Sequence, residues 1–76
     1  MELKDFIEKF AEQFDDTAAS EFTADAKFKE FDEWSSLVAL SVIAMVDEEY
    51  HISINSDAIR ESVTIEDLFN HVNKQV

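Results

Sequence analysis

Glycine, proline and cysteine are all absent from this 76-residue chain. Without cysteine, neither a disulfide framework nor a cysteine-ligated metal holds the fold, a usage that fits a cytoplasmic protein. Without glycine there is no phosphate-cradling loop, and without glycine or proline most tight hairpin turns are lost. Chain reversals fall to Asp, Asn and Ser, which favours an all-helical chain over a β fold. Basic residues are scarce as well: 6 Lys and Arg against 18 Asp and Glu give a formal charge of −12. Such a chain repels nucleic acid and anionic membrane surfaces, and its natural partners are basic patches on other proteins. Met1-Glu2-Leu3-Lys4-Asp5 has no basic region followed by an apolar run, so it does not read as a signal peptide. The longest apolar stretch, Leu37 to Val46, is about half of what a bilayer-spanning helix needs.

What is present is one small domain, residues 1–76, with a single core. Leu3, Phe6, Ile7, Phe10 and Phe14 recur at helical spacing and predict a first helix over 2–14, with acids and lysines on its other face. Residues 15–35 have no period. A connection this long implies that its aromatics dock on the core, with Phe28 and Trp34 as the candidates and a short helical turn within 23–30. A second helix is predicted over 36–50, capped by Ser35 or Ser36. From Leu37 to Val46 only Ser41 is polar. A helix apolar nearly all round either sits among other helices or presents part of itself as a contact surface. His51 to Asn55 alternates polar and apolar but is too short for an unpaired strand, and reads as a connector with Ile52 and Ile54 inward. Ser56 is expected to cap a short third helix over 57–62 with Ile59 inward. Thr64 is expected to cap a last helix striped by Ile65, Leu68, Phe69 and Val72, with Asp67 completing a capping box.

Most chemistries fail on these residues. The run Asp47-Glu48-Glu49 points in three directions on a helix, and no window supplies the ligand pattern of an EF-hand. His51 and His71 stand alone and read as surface histidines. A hydrolase built on Ser36, His51 and an acid would lack an oxyanion hole and a pocket. Ser36 has the strongest chemical reading. The free amides and positive dipole end of a helix favour a phosphodiester on such a hydroxyl. On Ser35-Ser36-Leu37 alone, a plain helix cap is the better reading.

The wider pattern resembles the acyl carrier protein family. The resemblance covers nearly the whole chain: the helix, long loop, helix, short helix, helix order; Ser36 near the middle; the Asp47-Glu48-Glu49-Tyr50 close of helix two; and the Ile52–Ile54 connector before Ser56-Asp57. It implies an all-α four-helix bundle of the acyl carrier type, with a long loop between helices 1 and 2 and a short helix 3. It also implies a non-enzymatic carrier in which Ser36 bears covalent 4'-phosphopantetheine from coenzyme A. The arm's thiol would hold acyl or aminoacyl groups as thioesters for fatty acid, polyketide or other specialised pathways. Implied partners are a phosphopantetheinyl transferase and acyl-processing enzymes with basic or apolar docking patches. The expected docking residues are Leu37, Val38, Ser41, Met45, Asp47, Glu48 and Asp57. Candidates for lining an acyl cavity are Phe28, Val42, Val46, Ile54, Ile59 and Leu68, which bottom-up are core residues. A monomer is expected from size and charge.

The chain departs from the family at the position before the modified serine, where the usual aspartate is Ser35. It also carries Val38 and Ser41 where acids are common. Asp32 and Glu33, one turn upstream if that stretch is helical, are the nearest acids to compensate. An unmodified acidic interaction module with the same fold is the alternative expectation.

Overall fold

The computed structural model describes residues 2–75. Its helices are α1 (Leu3–Ala11), α2 (Ser36–Tyr50), α3 (Ser56–Glu61) and α4 (Ile65–Asn73), and the described residues contain no β-strand. The Cα radius of gyration is 11.0 Å, matching the ~11 Å of a compact chain of this length. Helix α1 packs on α2 and α4, while α3 bridges α2 and α4.

Helix α1 buries Phe6 and Phe10 completely, one turn apart. It ends three residues short of the stretch expected from periodicity. Past Ala11 the chain tightens, Gln13 N–H donating to Phe10 O and Phe14 N–H to Ala11 O. Phe14 still turns inward, 8 % exposed, but from a turn rather than from the helix. Around these rings the core continues with Val42, Met45 and Val46 of α2, Ile59 of α3, and Ile65, Leu68 and Val72 of α4. Phe6 meets Tyr50 at 6.1 Å and the edge of Phe69 at 5.6 Å between centroids.

The connection between α1 and α2 contains two short 3₁₀ turns, Ala19–Glu21 and Phe28–Glu30. Phe28 is fully buried, with its ring 5.2 Å from Phe10 and 5.0 Å from Trp34. Trp34 also stacks on Phe14 at 6.3 Å. Phe22 bridges Phe14 and Phe31 at 5.1 and 5.4 Å. Phe28 and Trp34 thus dock as expected, and Phe22 and Phe31 join them.

The start of α4 and the end of α3 are closed by side chains and by this connection. The first two amides of α4, Ile65 and Glu66, donate to Ala26 O at 3.1 Å and Ala24 O at 2.9 Å. The third, Asp67, donates to Thr64 Oγ1 at 3.1 Å, and the Asp67 carboxylate accepts from Val63 and Thr64 N–H at 3.0 Å each. The capping box forms with Asp in place of Glu, and those amides hold the Asp67 carboxyl below the usual carboxylate range. Three donors that a helix start leaves orphaned are therefore all satisfied. Lys29 Nζ donates to the carbonyls of Ile59 and Arg60 near the end of α3, at 3.2 and 3.0 Å.

Helix α3 starts one residue earlier than expected. Asn55, not Ser56, is its cap, the Asn55 side chain accepting from Asp57 N–H at 3.0 Å, and Ser56 is the first helical residue. Just past the helix, Ser62 is fully buried and donates to Ala58 O at 2.7 Å. Helix α2 closes on His51, which takes φ 57° and ψ 37°, a left-handed position that glycine commonly fills and that this chain must give to another residue.

Candidate functional site

The start of α2 is fixed from both sides. Upstream, the Glu33 carboxylate accepts from Asp15 N–H at 2.6 Å, Asp16 N–H at 3.0 Å and the Thr17 hydroxyl at 2.7 Å. The Thr17 hydroxyl and the Asp15 amide are the main causes holding the Glu33 carboxyl below its ordinary range. The segment before Ser35 is not helical, so Glu33 is tied to the far end of the connection rather than extending α2. Trp34 is pinned between Phe14 and Phe28.

Ser35 follows in an extended conformation, φ −157° and ψ 171°, and its Oγ accepts from Val38 N–H at 3.2 Å. Ser35 is therefore the cap, and Ser36 is the first residue of the helix proper, exposed to solvent. The cap is made by one hydroxyl and leaves the other accessible. The first turn of α2 holds no acidic residue, so the positive end of the helix dipole is uncompensated there by any side chain of that turn. An exposed hydroxyl on that turn suits a phosphodiester, whose negative charge the exposed amides and dipole favour.

The outer face of α2 differs from expectation in one place. Leu37 is 74 % exposed, and Asp47 and Glu48 of α2 and Asp57 of α3 are exposed too. Ser41 and Val38 are half-buried. Met45 is 4 % exposed and belongs to the core, rather than standing on the exposed face as expected. Leu40, missed by sequence reasoning, is 63 % exposed, and Ala44 lies exposed beyond it. The signal was there in spacing. Leu37, Leu40, Ala44 and Asp47 follow one another at intervals of three and four residues, opposite Val42, Met45 and Val46.

Of the cavity candidates, Phe28, Val42, Val46, Ile59 and Leu68 are buried in the packed core, and Ile54 is half-buried. Ile54 borders a surface hollow with Asn55, Asp57 and His71. A groove of about 280 Å³ runs between α1 and α2, with Glu12 and Gln13 on one side and Ser41, Ala44 and Glu48 on the other. Lys9 pairs with Glu49 at 3.1 Å beside it, and this partner pushes the Lys9 ammonium up. A larger hollow of about 530 Å³ lies in the connection, bounded by Asp16 to Ala18 and Glu30 to Glu33, and includes no residue of α2.

Among the described residues no three His, Cys, Asp or Glu side chains are grouped to hold a metal ion. No described helix is long and apolar enough to cross a membrane. Comparison of the chain with family models, with curated proteins and with solved structures finds no match.

Proposed function

We propose that this protein is a carrier of the acyl carrier type, in which Ser36 bears 4'-phosphopantetheine and the domain presents thioester-bound acyl or aminoacyl groups to partner enzymes. The observation that carries the reading is the division of labour between the two serines. Ser35 caps α2, and Ser36 stands exposed at its first position. The prosthetic group would supply a flexible arm ending in a thiol that exchanges acyl groups. The chain's own residues would supply the attachment oxygen, a rigid platform for it, and a recognition face. The exposed amides and dipole of the first turn stabilise the phosphodiester. Glu33 and Trp34 fix the approach to Ser36, so that the tether leaves from a defined point and raises the local concentration of cargo at a docked partner. A transferase performs the attachment, and this domain acts as substrate and shuttle. The reading requires no internal acyl cavity, since Phe28, Val42 and Leu68 already fill the core.

A second reading has its own support. The cap residue Ser35 stands where the family places an aspartate before the serine, which favours an unmodified module of the same fold that only binds other proteins. Intact mass after incubation with coenzyme A, Mg²⁺ and a broad-specificity transferase separates the two. Addition of one phosphopantetheinyl group to the wild type and to Ser35→Ala, but not to Ser36→Ala, is the expected result. No addition to the wild type, with addition to Ser35→Asp, would leave the unmodified module as the function.

A further inference from the structure

We infer that the cargo of this carrier is a short polar acyl group of aminoacyl size that stays in water, and that the domain gives no shelter to a long aliphatic chain. The inference rests on the carrier reading and names the substrate class which that reading leaves open.

Sheltering a chain takes room. Even a benzene ring needs an apolar cavity of about 150 Å³, and protein interiors otherwise hold few voids larger than a water molecule. Here the space among the helices is taken by side chains. Phe28, Val42, Val46 and Leu68 are fully buried, and Ile59 is 5 % exposed. The Phe28 ring packs on Phe10 at 5.2 Å and on Trp34 at 5.0 Å. An aliphatic chain could enter only by pushing such residues apart, and forcing extra methylenes into a packed core is destabilising.

The seam between the connection and the α3–α4 pair is also tied. Lys29 Nζ holds the carbonyls of Ile59 and Arg60 at 3.2 and 3.0 Å. Ile65 and Glu66 N–H donate across it to Ala26 and Ala24 O at 3.1 and 2.9 Å. Opening the seam would leave these groups without partners.

The surface offers an aliphatic chain little more. The groove between α1 and α2 is edged by Lys9, Glu12, Glu48 and Glu49, and the hollow in the connection by Asp16, Glu21, Glu30 and Asp32. Pockets that hold apolar ligands are lined mainly by apolar side chains. Leu37 and Leu40, exposed on α2, would touch such a chain from one side without enclosing it. A short polar group has no need of enclosure. Its amide, ammonium or hydroxyl stays solvated, whereas burial without partners would be costly. Among short groups, a net −12 favours one bearing an ammonium over one bearing a carboxylate.

The test joins pantetheine arms ending in glycyl, acetyl, octanoyl or dodecanoyl thioesters to Ser36→Cys, through a bromoacetyl group at the end away from the sulfur. The chain has no other cysteine, so one site reacts, and no transferase is needed. Ser36 is exposed, so the variant is expected to fold. Melting temperatures of the adducts are expected to agree within about 2 °C, whereas a sheltered chain would add about 3–6 °C for each methylene buried. Hydroxylamine is expected to cleave the octanoyl thioester on the protein within about twofold of its rate on the free arm, as for a group always open to solvent. Intact mass of the protein from its native host is expected to show short groups on the Ser36 arm. A melting temperature that climbs with chain length, a protected octanoyl thioester, or an octanoyl or longer chain on the host protein overturns the inference and leaves the carrier reading standing. No arm on the host protein, and none added by a broad-specificity transferase, overturns the carrier reading and the inference with it.

Discussion

The connection between α1 and α2 and the helix that follows it use their apolar residues in opposite ways. The connection has no periodicity, yet Phe14, Phe22, Phe28, Phe31 and Trp34 all pack into one aromatic cluster, and none is exposed. Helix α2 is the longest helix and the most apolar, yet it leaves Leu37 and Leu40 in water. Regularity and burial are thus separate properties. An irregular segment is ordered because its side chains find the core, and a helix has apolar residues to spare because a cylinder cannot bury its whole circumference in so small a domain. The spare residues lie next to Ser36.

That contrast is sharpest under truncation. Phe28→Ala removes a fully buried ring from the irregular segment, and should cost about 3–5 kcal/mol. That is a large share of the ~5–15 kcal/mol of a typical domain, read as a drop in the urea midpoint. Leu40→Ala, in the regular segment, should stay within about 0.5 kcal/mol of wild type in the same measurement. Equal losses would abolish the distinction between the two regions.

A smaller effect comes from acid. Glu33 holds the connection together, with its carboxyl below the ordinary 4.5, chiefly through the Thr17 hydroxyl and Asp15 amide. A carboxyl depressed in the folded state adds stability above its unfolded value, and loses it as pH falls through the folded one. Stability should therefore decline from near pH 4.5 downward. Melting temperature against pH should show a shallower decline in Glu33→Gln, where one acceptor oxygen becomes a donor facing donors. Asp67, depressed from 3.8 by the Thr64 and Val63 amides, extends the same loss to lower pH in α4.

The smallest change concerns the regular side. Tyr50 ends α2 with its hydroxyl shut off from solvent and without a hydrogen-bond partner, and burial pushes that phenol up. Tyr50→Phe keeps the ring against Phe6 and removes an unpaired polar group, so a gain of about 0.5–1 kcal/mol is expected in urea unfolding.

Much of this was legible in the sequence. The bounds of α2, its cap among two serines, the capping box of α4 and the docking of Phe28 and Trp34 all follow from local chemistry. The facing of α2 was not legible to the same degree. With nearly every position apolar, periodicity gives little direction, and the side that α1 and α3 cover decides that Met45 goes in and Leu40 stays out. Nor did the end of α1 follow from spacing, because Phe14 keeps the helical interval while the backbone has already left the helix. The Glu33 contacts bring together residues sixteen to eighteen positions apart, and no local pattern announces such a pairing.

Connections between helices ordinarily absorb insertions and deletions with little penalty. This one is constrained where Ala24 and Ala26 receive the opening amides of α4 and where Lys29 reaches the Ile59 and Arg60 carbonyls of α3. Residues added or removed between 24 and 29 would strip α4 of its starting partners and shift Phe28 out of register with Phe10. Changes of length are better tolerated at exposed Ala18 to Glu21, ahead of Phe22. Homologues of this chain are therefore expected to vary in length at that first short turn, and to keep the spacing from Ala24 to Ser36 constant.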